Sequence, residues 1–145
     1  MNIIQKSWKV STPPLKKLLS RTITHRLSRL LDKNKFEVVY EGFLDVNNPM
    51  SEQPDVVIYS KFVNLAPVAA IEICQSEELL EMILIAKNMV SFYSLKEFFI
   101  YTFETDKWYL VKTGDATVAK SSVSSLMELD LRNTVQVLAG LATEK

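Results

Sequence analysis

Pro54-Asp55-Val56-Val57-Ile58-Tyr59, followed by Val68-Ala69-Ala70-Ile71-Glu72-Ile73-Cys74, decides how this chain is read. Both stretches are apolar and rich in β-branched residues, so both are expected to be strands. Each carries one carboxylate. The second is apolar on both faces apart from Glu72, the pattern of a strand at the centre of a sheet covered by helices. An ionised carboxylate in such a place costs several kcal/mol unless something pairs with it. A divalent cation is one such partner, and a buried salt bridge to Lys87 or Arg29 is another.

Working outward, Thr12-Pro13-Pro14 reads as a helix start, with Thr12 as N-cap and Pro13 in the first turn, where its missing N–H does no harm. Leu15, Leu18, Leu19, Thr22, Ile23, Leu27, Leu30 and Leu31 then recur at three-to-four spacing, which predicts a helix to about Asp32 with this stripe toward a core. Phe36 to Leu44 reads as a first strand, and Asn47-Asn48-Pro49 as the turn-rich approach to a second strand opening at Asp55. After the Glu72 strand, Ser76 is placed to cap a helix running to about Tyr93, with Glu77 and Glu78 favoured in its first turn by the helix dipole. Glu97 to Phe103 and Trp108 to Lys112 form a hairpin around Glu104-Thr105-Asp106-Lys107. Ala116 to Val123 and Leu126 to Leu131 are expected as short edge strands, and Asn133 to Leu141 as a closing helix. This order predicts an α/β fold, a central mixed sheet flanked by helices.

The 145 residues, 48% of them apolar, suit one domain. It divides into a basic N-terminal segment and helix (1–35), a core sheet and helix (36–112) and a tail of short strands and helix (113–145). The first residues lack the apolar run of a signal peptide, and no stretch approaches the ~20 apolar residues of a membrane helix, so a cytoplasmic protein is expected. Cys74 is the single cysteine, which excludes an internal disulfide and a cysteine-built zinc site. Three glycines, none in a Gly-rich loop before a helix, exclude a P-loop and a dinucleotide fingerprint.

The formal net charge of zero hides a polarity: residues 1–35 hold nine lysines and arginines against Asp32 alone. Such a segment can orient a protein toward a phosphate backbone, with Lys6 and Lys9 among the contacts, or it is a solvated helix paired with the acidic remainder or a second subunit. Both readings stay open.

Side chains alternate along a strand, so Glu72 shares its face with Ala70 and Cys74, while Asp55 stands at the mouth of its own strand. If the strands pair, the two carboxylates converge. Together with the carbonyl of Ile73 they make a hard oxygen site for Mg²⁺ or Mn²⁺, suited to phosphodiester hydrolysis. Glu41, on the first strand, is a possible third acid. A solvated face suits Glu41 and His25 as well, and Gln75 reads as a loop residue.

Pro54-Asp55, Glu72-Ile73-Cys74 on the next strand, a preceding helix with His25-Arg26-Leu27, and Lys96-Glu97-Phe98-Phe99-Ile100 opening a hairpin resemble the PD-(D/E)XK restriction-endonuclease-like superfamily. The chain is most similar to its Uma-type group of bacterial endonuclease-like proteins, over roughly residues 20–112. The resemblance implies Asp55 and Glu72 as catalytic metal ligands, the Ile73 carbonyl as a third ligand, Mg²⁺ or Mn²⁺ as cofactor, nucleic acid, DNA first, as substrate, and a possible homodimer. The motif's lysine, two residues after the glutamate, is here Cys74, whose neutral thiol cannot do a lysine's electrostatic work. The Uma-type group also lacks that lysine and is thought to draw one from the following helix, which points to Lys87. The departure leaves an alternative: the same fold as a catalytically degraded module binding nucleic acid or protein, with Glu72 in a salt bridge. Trp108 and Tyr109 on the hairpin are candidate exposed aromatics for an interface.

Overall fold

The computed structural model describes residues 14–62, 64–115 and 117–135. Five strands form one mixed sheet in chain order: β1 (Phe36–Tyr40), β2 (Val56–Ser60), β3 (Ala66–Cys74), β4 (Glu97–Thr102) and β5 (Lys107–Lys112). β1/β2, β2/β3 and β4/β5 pair antiparallel, and β3/β4 pair parallel. The parallel step needs a crossover. It is made by a 3₁₀ turn (Ser76–Glu78) leading into α2 (Leu79–Tyr93). Helix α1 (Pro14–Leu30) covers the opposite face, so β3 and β4 are buried on both sides as their continuous apolar runs require.

Two apolar clusters fill the layers. Leu19, Ile23, Leu27 and Leu31 pack on Val56, Ile58, Ile71, Ile73 and Phe99, while Met82, Ile85, Ala86, Met89 and Val90 pack on Val57, Ala70, Phe98, Ile100 and Val111. The buried stripe of α1 is Lys16, Leu19, Ser20, Ile23 and Leu27, not the full leucine set expected: Leu15, Leu18 and Leu30 are exposed. A helix lying on a sheet covers one stripe about 100° wide, and these leucines fall outside it. Ser20, Thr24 and Ser28 each donate their hydroxyl to the carbonyl four residues earlier, which satisfies these polar side chains within the helix.

Other boundaries shift for local reasons. β1 ends at Tyr40 rather than Leu44, because Glu41 takes a left-handed φ of 51° and turns its N–H to Asp55 O. Ser76 is not the cap: the Glu78 carboxylate accepts from Gln75 N–H at 2.9 Å, and Ser76 N–H goes to Glu104. Of the tail, β6 (Val123–Ser124) and β7 (Leu129–Asp130) pair with each other and not with the main sheet, while Ala119 makes a single bridge to Leu110. The closing helix is a 3₁₀ turn, Leu131–Thr134, as far as Val135; Gln136 onward, like Thr12 and Pro13, lies outside the described residues. Trp108 is not an exposed interface aromatic. It is 5% exposed, stacks on Tyr101 at 4.6 Å and meets the edge of Phe99, in the cluster that Met127 and Leu131 close.

The tail is held by a residue that the sequence reading places only as the opening of a strand. Glu97, first in β4 and 2% exposed, accepts from Ser124 Oγ (2.6 Å), Ser125 N and Oγ (both 3.1 Å) and Leu126 N (3.3 Å). A lone acid opening an apolar strand, with Ser121-Ser122-Val123-Ser124-Ser125 downstream, was the available signal.

Candidate functional site

β2 pairs with β3 from Val56 opposite Ile71, which puts Asp55 across from Glu72 at the end of the ladder. Because pairing stops there, the Ile73 amide has no β2 carbonyl to meet; Asp55 Oδ2 accepts from it at 2.8 Å, and Glu72 Oε1 accepts from Asp55 N–H at 2.9 Å. The two acids thus brace each other's backbones while their side chains converge. Glu72 is 1% and Asp55 8% exposed.

A lysine completes the cluster, and it comes from α1. Lys16 Nζ lies 3.2 Å from Glu72 Oε2 and 3.7 Å from Asp55 Oδ2, with the residue 7% exposed. Positions 16, 19, 20, 23 and 27 form one helical face, narrower than the run of leucines that the sequence reading expects as core. Lys87, by contrast, lines a hollow with Ser91, Ser94, Lys96, Lys112 and Gly114. That hollow adjoins the start of β4, where Glu97 is level with Ala69, three residues before Glu72 on β3. Arg29, Glu41 and His25 are exposed, and Gln75 is half-buried beside the 3₁₀ turn. Lys6 and Lys9 lie outside the described residues.

Two acids and one base leave an excess negative charge in a dry place. Burial pushes the Asp55 carboxyl up to about 6 against the pull of Lys16 and the Ile73 N–H. Glu72 is held well above the ordinary glutamate range, by burial first and by Asp55 second. For Lys16, burial works against the charge, but the two carboxylates outweigh it and the net shift is upward. Burial likewise pushes the Cys74 thiol up to about 12, so it is no nucleophile near neutrality.

These directions set a pH dependence. Between the unfolded Asp value near 3.8 and about 6, the folded chain keeps a proton on Asp55 that the unfolded chain has released, so stability falls as pH rises through this window. The melting temperature in chelator should therefore decline from pH 4 to 7 more steeply in the native chain than in Asp55→Asn. Parallel profiles would remove the acid pair as the cause.

Apposed buried carboxylates that already draw a cation are a fitting donor set for a hard divalent ion. Mg²⁺ is commonly held by one or two carboxylates and keeps several waters, and Asp55 with Glu72 meets that requirement. Among the described residues no group of three or more His, Cys, Asp or Glu side chains could hold a metal. A zinc-type set of three or four protein ligands is therefore not what these residues offer.

Among the described residues no helix is long and apolar enough to cross a membrane. No family model matches the chain, and no curated protein matches it. Among solved structures it is similar to a protein from Anabaena variabilis ATCC 29413 described as a "putative nuclease belonging to DUF820", at 11% identity and a TM-score of 0.58, over 88% of this chain and 84% of that one. At that identity the likeness speaks to architecture: the chain has an α/β, restriction-endonuclease-like fold, a mixed sheet between helices.

Proposed function

We propose that the chain is a metal-dependent nuclease of the PD-(D/E)XK superfamily, hydrolysing phosphodiester bonds of nucleic acid, DNA first. The observation that carries this reading is the register of β2 and β3, which sets Asp55 across from Glu72 in a buried pair at the end of the ladder. Asp55, Glu72 and the Ile73 carbonyl would hold Mg²⁺ or Mn²⁺. When bound, such an ion polarises a phosphate oxygen and lowers the pKa of its water. The protein's part is to hold the two carboxylates in place through the Ile73 and Asp55 amides.

Two lysines are candidates for the part of the missing motif lysine, which would position or activate the attacking water: Lys87, named by the resemblance, and Lys16, which lies beside the acids. Substrate would be drawn in by α1. Lys17, Arg21, His25 and Arg29 follow one another at spacing four, and Lys17, Arg21 and Arg29 are exposed, so they form a basic ridge along one helix face. Such a ridge fixes position on a backbone without reading sequence. Reversing Lys17 and Arg29 together to Glu is expected to weaken DNA binding at low salt at least tenfold, and to flatten its salt dependence, in a fluorescence-anisotropy titration.

A second reading has its own support. Lys16 already pairs with Glu72, and Cys74 replaces the motif lysine, as in a fold kept for binding after catalysis is lost. Incubating the chain with labelled duplex DNA, single-stranded DNA and RNA in Mn²⁺ or in chelator separates the two. Cleavage in Mn²⁺ that stops in chelator supports the nuclease, while retention of nucleic acid in both buffers without cleavage supports the binding module.

A further inference from the structure

The Lys16 ammonium touches the same two carboxylates that a divalent ion would use, at 3.2 Å from Glu72 Oε2 and 3.7 Å from Asp55 Oδ2. An ion bound by both acids would stand about 2.1 Å from each oxygen. It would then lie within a few ångströms of Nζ, and a divalent and a monovalent charge at that distance in a site this buried repel strongly. One of them must give way. Lys16 is the more movable: it is the third residue of α1, its neighbours Leu15 and Lys17 are exposed, and the apolar packing of the helix begins only at Leu19. A four-carbon stem at such a helix end can carry its ammonium into solvent without unpacking the core.

We infer that Lys16 is the built-in counter-ion of the site, occupying in the metal-free protein the place that a divalent cation takes, so that metal binding and the inward Lys16 exclude each other. The inference rests on the metal-site reading above and deepens it. Its consequence is that Lys16 sets metal affinity by competition: the chain folds without metal because Lys16 offsets the acids, and it binds metal more weakly for the same reason.

The test is a calorimetric Mn²⁺ titration of the full chain as native, Lys16→Met and Lys16→Arg. Lys16→Met should bind Mn²⁺ at least tenfold more tightly than the native chain and gain more in melting temperature from it, while Lys16→Arg, which keeps the charge, should bind no more tightly than native. Equal or weaker binding by Lys16→Met, with Mn²⁺ still bound by the native chain, overturns the inference and leaves the metal site standing. Absence of Mn²⁺ binding by both removes the metal site and the inference with it. A readout on the native chain covers the case in which Lys16→Met does not fold. Reductive methylation followed by peptide mass spectrometry should label Lys16 several-fold faster with 1 mM Mn²⁺ than in chelator, whereas unchanged protection of Lys16 overturns the displacement.

Discussion

Asp55→Asn is expected to lower Mn²⁺-dependent phosphodiester cleavage about a thousandfold or more, which corresponds to about 4 kcal/mol of lost transition-state stabilisation. The substitution keeps shape and removes one charge. Asn retains an oxygen to accept the Ile73 N–H that Asp55 Oδ2 takes at 2.8 Å, so the end of the β2/β3 ladder stays closed. What it loses is the second negative oxygen ligand, and a cation held by Glu72 alone cannot be fixed in position. Stability should move the other way. In the native pair each carboxylate opposes the other's charge with one Lys16 beside them, and neutralising Asp55 leaves Glu72 and Lys16 as a balanced pair at 3.2 Å. Asp55→Asn should therefore melt at or above the native temperature while losing cleavage. Glu72→Gln should lose cleavage equally but melt lower, because its amide would set an NH₂ donor against either the Asp55 N–H or the Lys16 ammonium. Single-turnover cleavage and thermal melts on the same preparations check both. Cleavage by Asp55→Asn within tenfold of native would end the case for Asp55 as a ligand, and a large fall in its stability would make it a structural residue.

The sheet was legible in the sequence because its central strands are apolar on both faces, and β2 through β5 fall within two residues of where composition and turn residues place them. Glu72 was legible for the same reason, since a carboxylate among Ala70, Ile71, Ile73 and Cys74 demands a cation beside it, while Asp55 was read from its place at the mouth of the neighbouring strand and from the resemblance. Which cation was not legible. A run of leucines dominates α1, and counting all of them as core hid the narrower face on which Lys16 lies with Leu19, Ile23 and Leu27. Which lysine reaches a buried acid depends on where a helix end crosses a sheet, and that is set by packing across 56 residues of sequence separation, not by local spacing. The tail failed for a related reason. Its short strands pair with each other, and what fastens them is one carboxylate on a distant strand.

That carboxylate carries the largest expected effect on stability. Glu97→Ala removes the acceptor for four donors from Ser124, Ser125 and Leu126 at once. Hydrogen bonds to a charged group contribute roughly 1.5–3 kcal/mol each. Ser125 is exposed and can turn to water, but Ser124 is 1% exposed and its hydroxyl also accepts from Met127 N–H, so the loss spreads into the turn. A net cost of about 3–4 kcal/mol follows, a fall in melting temperature of about 10 °C for a domain of this size. The damage should travel. Met127 and Leu131, downstream of the turn, close the apolar cluster over Trp108, so loosening it should raise hydrogen exchange of the Trp108 indole N–H and shift tryptophan fluorescence to the red. Glu97→Gln should fall between, since one amide oxygen can serve Ser124 while the amide NH₂ opposes the N–H of Ser125 and Leu126. Asp55 and Glu72 are fastened by β2 and β3, not by the tail, so Mn²⁺ affinity at low temperature should be unchanged in Glu97→Ala. A variant that melts like the native chain would show that the Glu97 bonds exchange freely with water and hold nothing.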